Sequence, residues 1–339
     1  QTFDYVIDLL REASIDPKVK SVKMTIYRLA KDSNVINALV NAARNGKSVT
    51  VYLEIQARFD EQANIHWSGK LKEEGATIIH GTPGLKVHSK LLLIKRKEGN
   101  KNVSYVNIGT GNYNEVTSKV YADDSLFTCN PDIASDVEKV FSLFENNYKP
   151  VTFKNLIVSP FYMRNFFTGL INKEIANAKA GKEAWMILKL NNLLDVEISK
   201  KLYLASQAGV KIKIIARGTC ILKAGIPAVS ENIEAISIID RFLEHSRVFV
   251  FCNGGNEKYF ISSADWMRRN LDYRIEVACP ILDNEIKEDL KNILNIQLKD
   301  NTKARLLSYD KYNQYKTTQE KTKIRSQTEI YKYLQQFEE

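Results

Sequence analysis

Apolar and polar positions along the chain follow two rhythms that take turns, one at the helical repeat and one at the strand repeat. Phe3 to Ala13 sets its apolar residues on one helical face, and Val19 to Tyr27 reads as a strand. Ser33 to Asn45 predicts a helix capped by Ser33, whose hydroxyl can accept from an unsatisfied N–H of the first turn. Val49 to Gln56 is apolar enough for a buried strand, and Glu61 to Glu74 is helical. Strands follow near Ala76–His80, His88–Ile94, Tyr105–Ile108 and Ser125–Cys129, then a helix from about Ile133 to Tyr148. Lys149-Pro150 ends that helix and sets the expected domain boundary.

The second half repeats the plan. Phe161 to Ala180 is helical, Ala184 to Leu190 a strand, Asp195 to Ala208 a helix and Lys211 to Ala216 a strand. Further strands are expected at Arg247–Phe251, Tyr259–Ile261 and Arg274–Val277. The helix–glycine–strand run from Ala42 to Val49 lines up with Ala205 to Ile212, so a duplicated α/β unit is the simplest explanation. Beyond Lys299 the chain turns polar, with a weakly helical stretch from Thr318 to Phe337, and reads as a surface tail.

Two histidine segments fall at matching places in the halves: Leu85-Lys86-Val87-His88-Ser89-Lys90 and Leu243-Glu244-His245-Ser246-Arg247. Side chains two apart on a strand share a face, so His88 lines up with Lys86 and Lys90, and His245 with Arg247. An imidazole keeps a neutral nitrogen near pH 7, and fixed cations can hold phosphate oxygens while charge moves between them. That combination suits covalent phosphoryl chemistry. After the first histidine comes Gly109-Thr110-Gly111-Asn112-Tyr113-Asn114-Glu115, a tight turn in which Asn112 and Asn114 add neutral donors. His66 and His80 lack a basic partner at that spacing and read as structural. Asp123-Asp124 either orients an imidazole or bounds a strand.

Composition narrows the picture only a little. The 339 residues are enough for two domains, and no apolar run reaches the roughly 20 residues that cross a bilayer. The 49 Lys+Arg against 40 Asp+Glu give +9, which favours a polyanionic partner: nucleic acid, anionic lipid, nucleotide or a phosphate polymer. A soluble surface that happens to be basic accounts for the charge equally well. Cys129, Cys220, Cys252 and Cys279 are scattered without metal-ligand spacing, so buried, reduced thiols of a cytosolic protein are expected. With Gln1 first and a helical pattern starting at once, the chain is read as a piece of a longer protein.

The paired His-x-Lys and His-x-Arg segments with a Gly-rich Asn turn resemble the phospholipase D superfamily. The chain departs from that pattern where Lys95 and Cys252 stand seven positions after the histidines, and where Ser262-Ser263-Ala264-Asp265 replaces the second Gly-Asn turn. A resemblance over nearly the whole chain is to the long-chain polyphosphate kinase family. It is carried by Lys23-Met24-Thr25-Ile26-Tyr27-Arg28, Gln56-Ala57-Arg58-Phe59-Asp60-Glu61, Lys86 to Lys90, Gly109 to Glu115, Ile215-Ala216-Arg217-Gly218 and Leu243 to Arg247.

That resemblance implies two tandem phospholipase D-like α/β domains, each a mixed β-sheet flanked by helices, with the active site between them. They would span 1–150 and 151–300, followed by a polar, partly helical tail at 301–339. It implies reversible transfer of the terminal phosphate of ATP to inorganic polyphosphate through a phosphohistidine. His88 would be the nucleophile and His245 a second active-site histidine, acting as acid or base or touching the nucleotide. Tyr121 and Arg217 would contact ATP with His245. Arg28, Arg58, Lys90, Arg247, Asn112 and Asn114 would form the phosphate region, with Mg²⁺ near Arg28 and Arg58 but no carboxylate ligand identified.

Read as residues alone, Arg28 and Arg58 could be solvated strand ends and Tyr121 a core aromatic. The family also implies an oligomeric full-length enzyme, a cytoplasmic site with peripheral contact to the inner membrane surface, and no role for nucleic acid. One family nucleotide contact lies in an amino-terminal domain outside this sequence, so ATP binding here is expected to be incomplete. Two other classes fit the same residues: a phosphodiesterase that uses both histidines with water, and a noncatalytic polyanion-binding module.

Overall fold

The computed structural model of the chain describes residues 2–27, 30, 32–54, 61–81, 84–145, 151–317 and 322–337. The chain divides into two compact units, Gln1–Ser159 with Tyr273–Val277, and Pro160–Asp272 with Ala278–Glu339.

In the first unit the sheet runs Thr77–His80, Ser48–Leu53, Val19–Ile26, Lys90–Glu98, Lys101–Gly109, Ser125–Thr128. The first three strands are parallel to one another, and the rest pair antiparallel. Val22, Met24, Val51, Leu92 and Ile94 point into a core shared with Leu10 of helix Asp4–Ile15 and with Ile36 and Leu39 of helix Asn34–Arg44. Ser33 caps the latter helix, its hydroxyl accepting from the Ile36 N–H at 3.3 Å.

The second unit repeats this topology. Its strands run Ile233–Ile238, Lys211–Ala216, Trp185–Leu190, Val248–Phe251, Lys258–Ser262, Val277–Pro280, with the same parallel and antiparallel assignments in the same places. Gly46 and Gly209, aligned from sequence, both take left-handed backbone (φ 74° and 95°), ending a helix ahead of a strand. Its core is aromatic: Phe167 of helix Met163–Lys179 meets the Phe249 ring edge-on at 5.1 Å, and Phe249 lies 4.9 Å from Trp266.

The structure departs from the sequence reading in several places. Strand Ile233–Ile238 and helix Asn284–Lys299 were not anticipated. The run read as a single strand over Arg274–Val277 is split: Arg274–Ile275 pairs with Lys86–Val87, while Ala278–Pro280 pairs with Lys258–Ser262. The segment read as a surface tail adds the strand Ala304–Leu306 to the sheet edge, while the helix Ser326–Gln335 falls within the helical stretch expected over Thr318–Phe337. Of the cysteines expected to be buried, Cys252 and Cys279 are; Cys129 is exposed where strand Ser125–Thr128 ends.

Candidate active site

In the first unit the strand carrying the histidine breaks at the histidine itself. Lys86–Val87 pairs with Arg274–Ile275, His88 and Ser89 are irregular, and the long strand begins at Lys90. The break is held on both sides: the His88 and Ser89 N–H groups both donate to the Ile275 carbonyl (3.0 and 3.1 Å). The Thr25 hydroxyl donates to the Ser89 carbonyl at 2.8 Å and accepts from the Leu91 N–H at 2.9 Å. A strand interrupted here points His88 away from the ladder without loosening it.

The expected row of side chains is present, and Tyr27 organises it. The Tyr27 ring meets the His88 ring edge-on at 5.2 Å, with the ammonium groups of Lys86 and Lys90 at 5.6 and 5.8 Å from its centroid. Lys90 is 2% exposed, and its ammonium donates to the His88 carbonyl.

The partner of His88 was not found from sequence. Glu276, fully buried, places both carboxylate oxygens on Nδ1, at 2.9 and 3.0 Å. Two oxygens of one carboxylate can both bond this nitrogen only if it carries the proton. Nε2 is therefore the nitrogen with the free lone pair. Ser159 fixes Glu276 in turn, its hydroxyl accepting from the Glu276 N–H at 3.0 Å and its N–H donating to the Glu276 carbonyl at 3.1 Å. Burial pushes the His88 imidazole down to about 3, against the opposing pull of Glu276, so the ring is neutral at physiological pH.

The Gly-rich turn is tied to the aspartate pair. The Thr110 N–H donates to the Asp124 carbonyl and its hydroxyl accepts from the Asp124 N–H, both at 2.9 Å. A Cβ on Gly111 would lie 2.0 Å from Oδ2 of the exposed Asp123 side chain, so a larger residue there requires that carboxylate to turn aside. The pair thus bounds the turn, and the carboxylate that orients the imidazole is Glu276. Asn114 caps helix Glu115–Ser118, its Oδ1 accepting from the Val116 and Thr117 N–H groups at 3.0 Å. That oxygen is committed to the helix. Among the described residues Asn112 Oδ1 is buried with no hydrogen-bond partner. Tyr121 is half-buried in the short strand Tyr121–Ala122. Arg28 and Arg58 lie outside the described residues.

The second unit repeats the histidine geometry with different partners. Leu243–Glu244 is a short strand, His245 to Arg247 is irregular, and Val248 resumes the ladder. Arg247 NH1 donates to the His245 carbonyl at 2.9 Å, as Lys90 does to that of His88, and lies 3.3 Å from His245 Nε2. Buried Arg247 also reaches Asp265, with Nε 3.2 Å from Oδ1 and NH2 3.3 Å from Oδ2. Burial alone would push the Asp265 carboxyl up; the Arg247 charge and hydrogen bonds from Asn191 and Asn192 hold it well below the usual carboxylate range. Arg217 Nε donates to Asn191 Oδ1 at 2.7 Å, and Asn191 Nδ2 to the His245 carbonyl at 3.1 Å. Arg217 and His245, both assigned to the nucleotide from sequence, are thus joined through Asn191.

His80 Nε2 lies 3.2 Å from the Ser68 hydroxyl, and His66 is exposed beside Trp67. Among the described residues no group of three or more His, Cys, Asp or Glu side chains could hold a metal ion, so a resident Mg²⁺ cage does not fit them. No helix of the described residues is long and apolar enough to cross a membrane.

Comparison with known proteins gives one consistent family. Residues 1–150 match the family described as polyphosphate kinase C-terminal domain 1, and 156–327 match polyphosphate kinase C-terminal domain 2. The chain is 53% identical over 337 residues to the polyphosphate kinase of Vibrio cholerae, covering 99% of this chain and 48% of that protein. It is 48% identical over 338 residues to that of Escherichia coli K12, covering 100% of this chain and 49% of the relative. It therefore spans about half the length of the curated relatives it matches. The crystal structure of polyphosphate kinase from Porphyromonas gingivalis superposes with a TM-score of 0.92 at 43% identity, over 99% of this chain and 52% of that one. Phosphatidylserine synthase from Haemophilus influenzae superposes with a TM-score of 0.60 at 11% identity, over 99% of this chain and 90% of that one, a likeness of fold alone.

Proposed function

This chain belongs to the polyphosphate kinase family, carrying its C-terminal domains 1 and 2, and on that premise we propose that it is the catalytic region of an ATP:polyphosphate phosphotransferase working through phosphohistidine. The observation that carries the reading is the His88–Glu276 contact. Nε2 of His88 attacks the γ-phosphorus of ATP, the N–P bond forms, and the bond to the bridging oxygen breaks to release ADP. The proton stays on Nδ1, and the positive charge that develops on the ring is met by the Glu276 carboxylate. A terminal oxygen of polyphosphate then attacks the phosphorus, the N–P bond breaks and the polymer is one unit longer. Running the steps backwards makes ATP. One covalent site serves the two substrates in turn.

Lys90 supplies fixed positive charge beside His88, and Lys86 faces the same Tyr27 ring. Arg247 and Arg217 are the guanidinium groups proposed for phosphate oxygens, with Tyr121 stacking on the base; Arg28 and Arg58 keep the phosphate role that the resemblance implies. Mg²⁺ is proposed to arrive with the nucleotide phosphates as part of the substrate, the usual habit of an ion that keeps most of its waters. A cytoplasmic site and an oligomeric full-length enzyme complete the proposal.

The phosphodiesterase reading shares both histidines but transfers to water. Lys95 and Cys252, standing where that superfamily places aspartate, favour the kinase. Incubating the full-length protein with ATP and Mg²⁺, and separately with nucleic acid, decides between them. The kinase makes polymer from ATP and leaves nucleic acid whole; cleavage of nucleic acid without polymer synthesis contradicts it.

A further inference from the structure

Glu244, one residue before His245, is buried and is reached from three directions. Lys189 Nζ on strand Trp185–Leu190 donates to its Oε2 at 2.6 Å, and Gln297 Nε2 on helix Asn284–Lys299 donates to the same oxygen at 2.8 Å. The third arm is Gln327, in the first turn of helix Ser326–Gln335, whose Nε2 donates to Oε1 at 2.8 Å. The same amide clamps the Phe242 peptide from both sides: Nε2 donates to the Phe242 carbonyl at 2.8 Å, and Oε1 accepts from the Phe242 N–H at 3.0 Å. A side-chain amide here does what a neighbouring strand would do for an edge.

Gln327 is itself held firmly. Arg325 grips Asp240 with a two-pronged guanidinium contact, Nε to Oδ2 at 2.8 Å and NH2 to Oδ1 at 2.5 Å. Ser326 places both its N–H and its hydroxyl on Asp300 Oδ2 at 2.7 Å. Tyr333, further along the helix, donates to Asp289 at 2.6 Å. Arg325 and Gln327 therefore strap the run Asp240–Glu244 that leads into His245.

We infer that Gln327 is a positioning residue for His245, fixing through Phe242 and Glu244 the backbone from which that imidazole projects. The inference rests on the reading of His245 as an active-site residue. An error of about 1 Å at a catalytic group costs roughly 10²-fold in turnover, so a strap of this kind matters more to rate than to binding.

The test uses the full-length enzyme as wild type, Gln327→Ala, Gln327→Glu, His245→Ala and the two double variants Gln327→Ala/His245→Ala and Gln327→Glu/His245→Ala, with kcat and KM for ATP measured in polymer synthesis. Gln327→Glu keeps side-chain volume and the acceptor for the Phe242 N–H but sets a carboxylate against Glu244. It decides the matter through its own cycle with His245→Ala if the alanine variant melts early. The expected result is a loss in kcat of roughly 10-fold or more with KM changed by less than about 3-fold, and no further loss when the substitution is added to His245→Ala. A purely structural role would lower the amount of active protein and multiply with the His245→Ala defect. Wild-type kcat in both Gln327 variants, with His245→Ala impaired, overturns the inference alone, as does a multiplicative loss in the double variants. Wild-type kcat in His245→Ala overturns the reading of His245 and the inference with it.

Discussion

Both carboxylate oxygens of Glu276 lie within 3.0 Å of Nδ1 of His88, and this contact decides which nitrogen of the ring is left to react. Glu276→Gln tests it directly. The amide oxygen can still accept from Nδ1, so the ring stays oriented, but the negative charge that meets the developing imidazolium is gone. The expected outcome is a fall in the rate of enzyme phosphorylation by roughly 10²-fold, with the thermal midpoint changed little. Equal rates in Glu276→Gln and wild type, measured by rapid quench, would reduce Glu276 to a packing residue.

The acid stability of the protein should carry the mark of the same ring. Burial holds the His88 pKa at about 3, below the ordinary value of about 6.5 in the unfolded chain. Between those values the unfolded state binds a proton that the folded state does not. Stability is therefore fully present above pH ~6.5 and is lost as pH falls towards the folded value. Urea midpoints from pH 7.5 to 5 should drop more steeply in wild type than in His88→Gln. Parallel curves would mean that His88 is not held neutral by burial.

Asp265→Asn removes the carboxylate opposite Arg247 while keeping its shape. Arg247 and Asp265 are both buried, so the change removes a carboxylate charge facing a guanidinium in the interior. The expected destabilisation is about 3–5 kcal/mol by denaturant titration, and Arg247→Met in the same background should restore part of it. A change below about 1 kcal/mol would show the pair to be solvated.

Gly111→Ala puts a methyl where Asp123 Oδ2 already sits, so either the turn or Asp123 must move. Because Asp123 is exposed and can swing aside, a stability loss below about 1 kcal/mol is expected, with polymer synthesis falling further than stability does because the turn follows the strand paired with the one that begins at Lys90. Full activity in a stable Gly111→Ala enzyme would take the turn out of the site.

Part of this was legible in sequence, although the strand expected to carry the row is interrupted at His88 and Ser89. His88 and Lys90 sit two apart, and both prove to turn toward Tyr27. The duplication showed in aligned glycines that do take the same backbone, and the repeated α/β sheet topology of the two units agrees with it. Glu276 was not legible. It lies 188 residues from His88, in a return of the chain to the first unit over Tyr273–Val277, and its neighbours read as an unbroken strand. Asn114 was read as a donor in a loop because helix Glu115–Ser118, which it caps, is too short to show a period. The segment after Lys299 looked like a tail because its strand has only three residues, while its anchors, Asp300, Arg325 and Gln327, are polar groups that pair only in three dimensions.

Covalent labelling shows whether His88 carries the phosphoryl group. Full-length enzyme incubated with γ-labelled ATP and Mg²⁺ should take up label that is lost in acid and kept in base, as a phosphoramidate requires, and peptide mapping should place it on His88. His88→Ala should abolish label and polymer together while still melting cooperatively, and His245→Ala should label slowly. Label mapped to His245 in the His88→Ala enzyme would reverse the two roles, and polymer made with no label on either histidine would contradict the covalent mechanism outright.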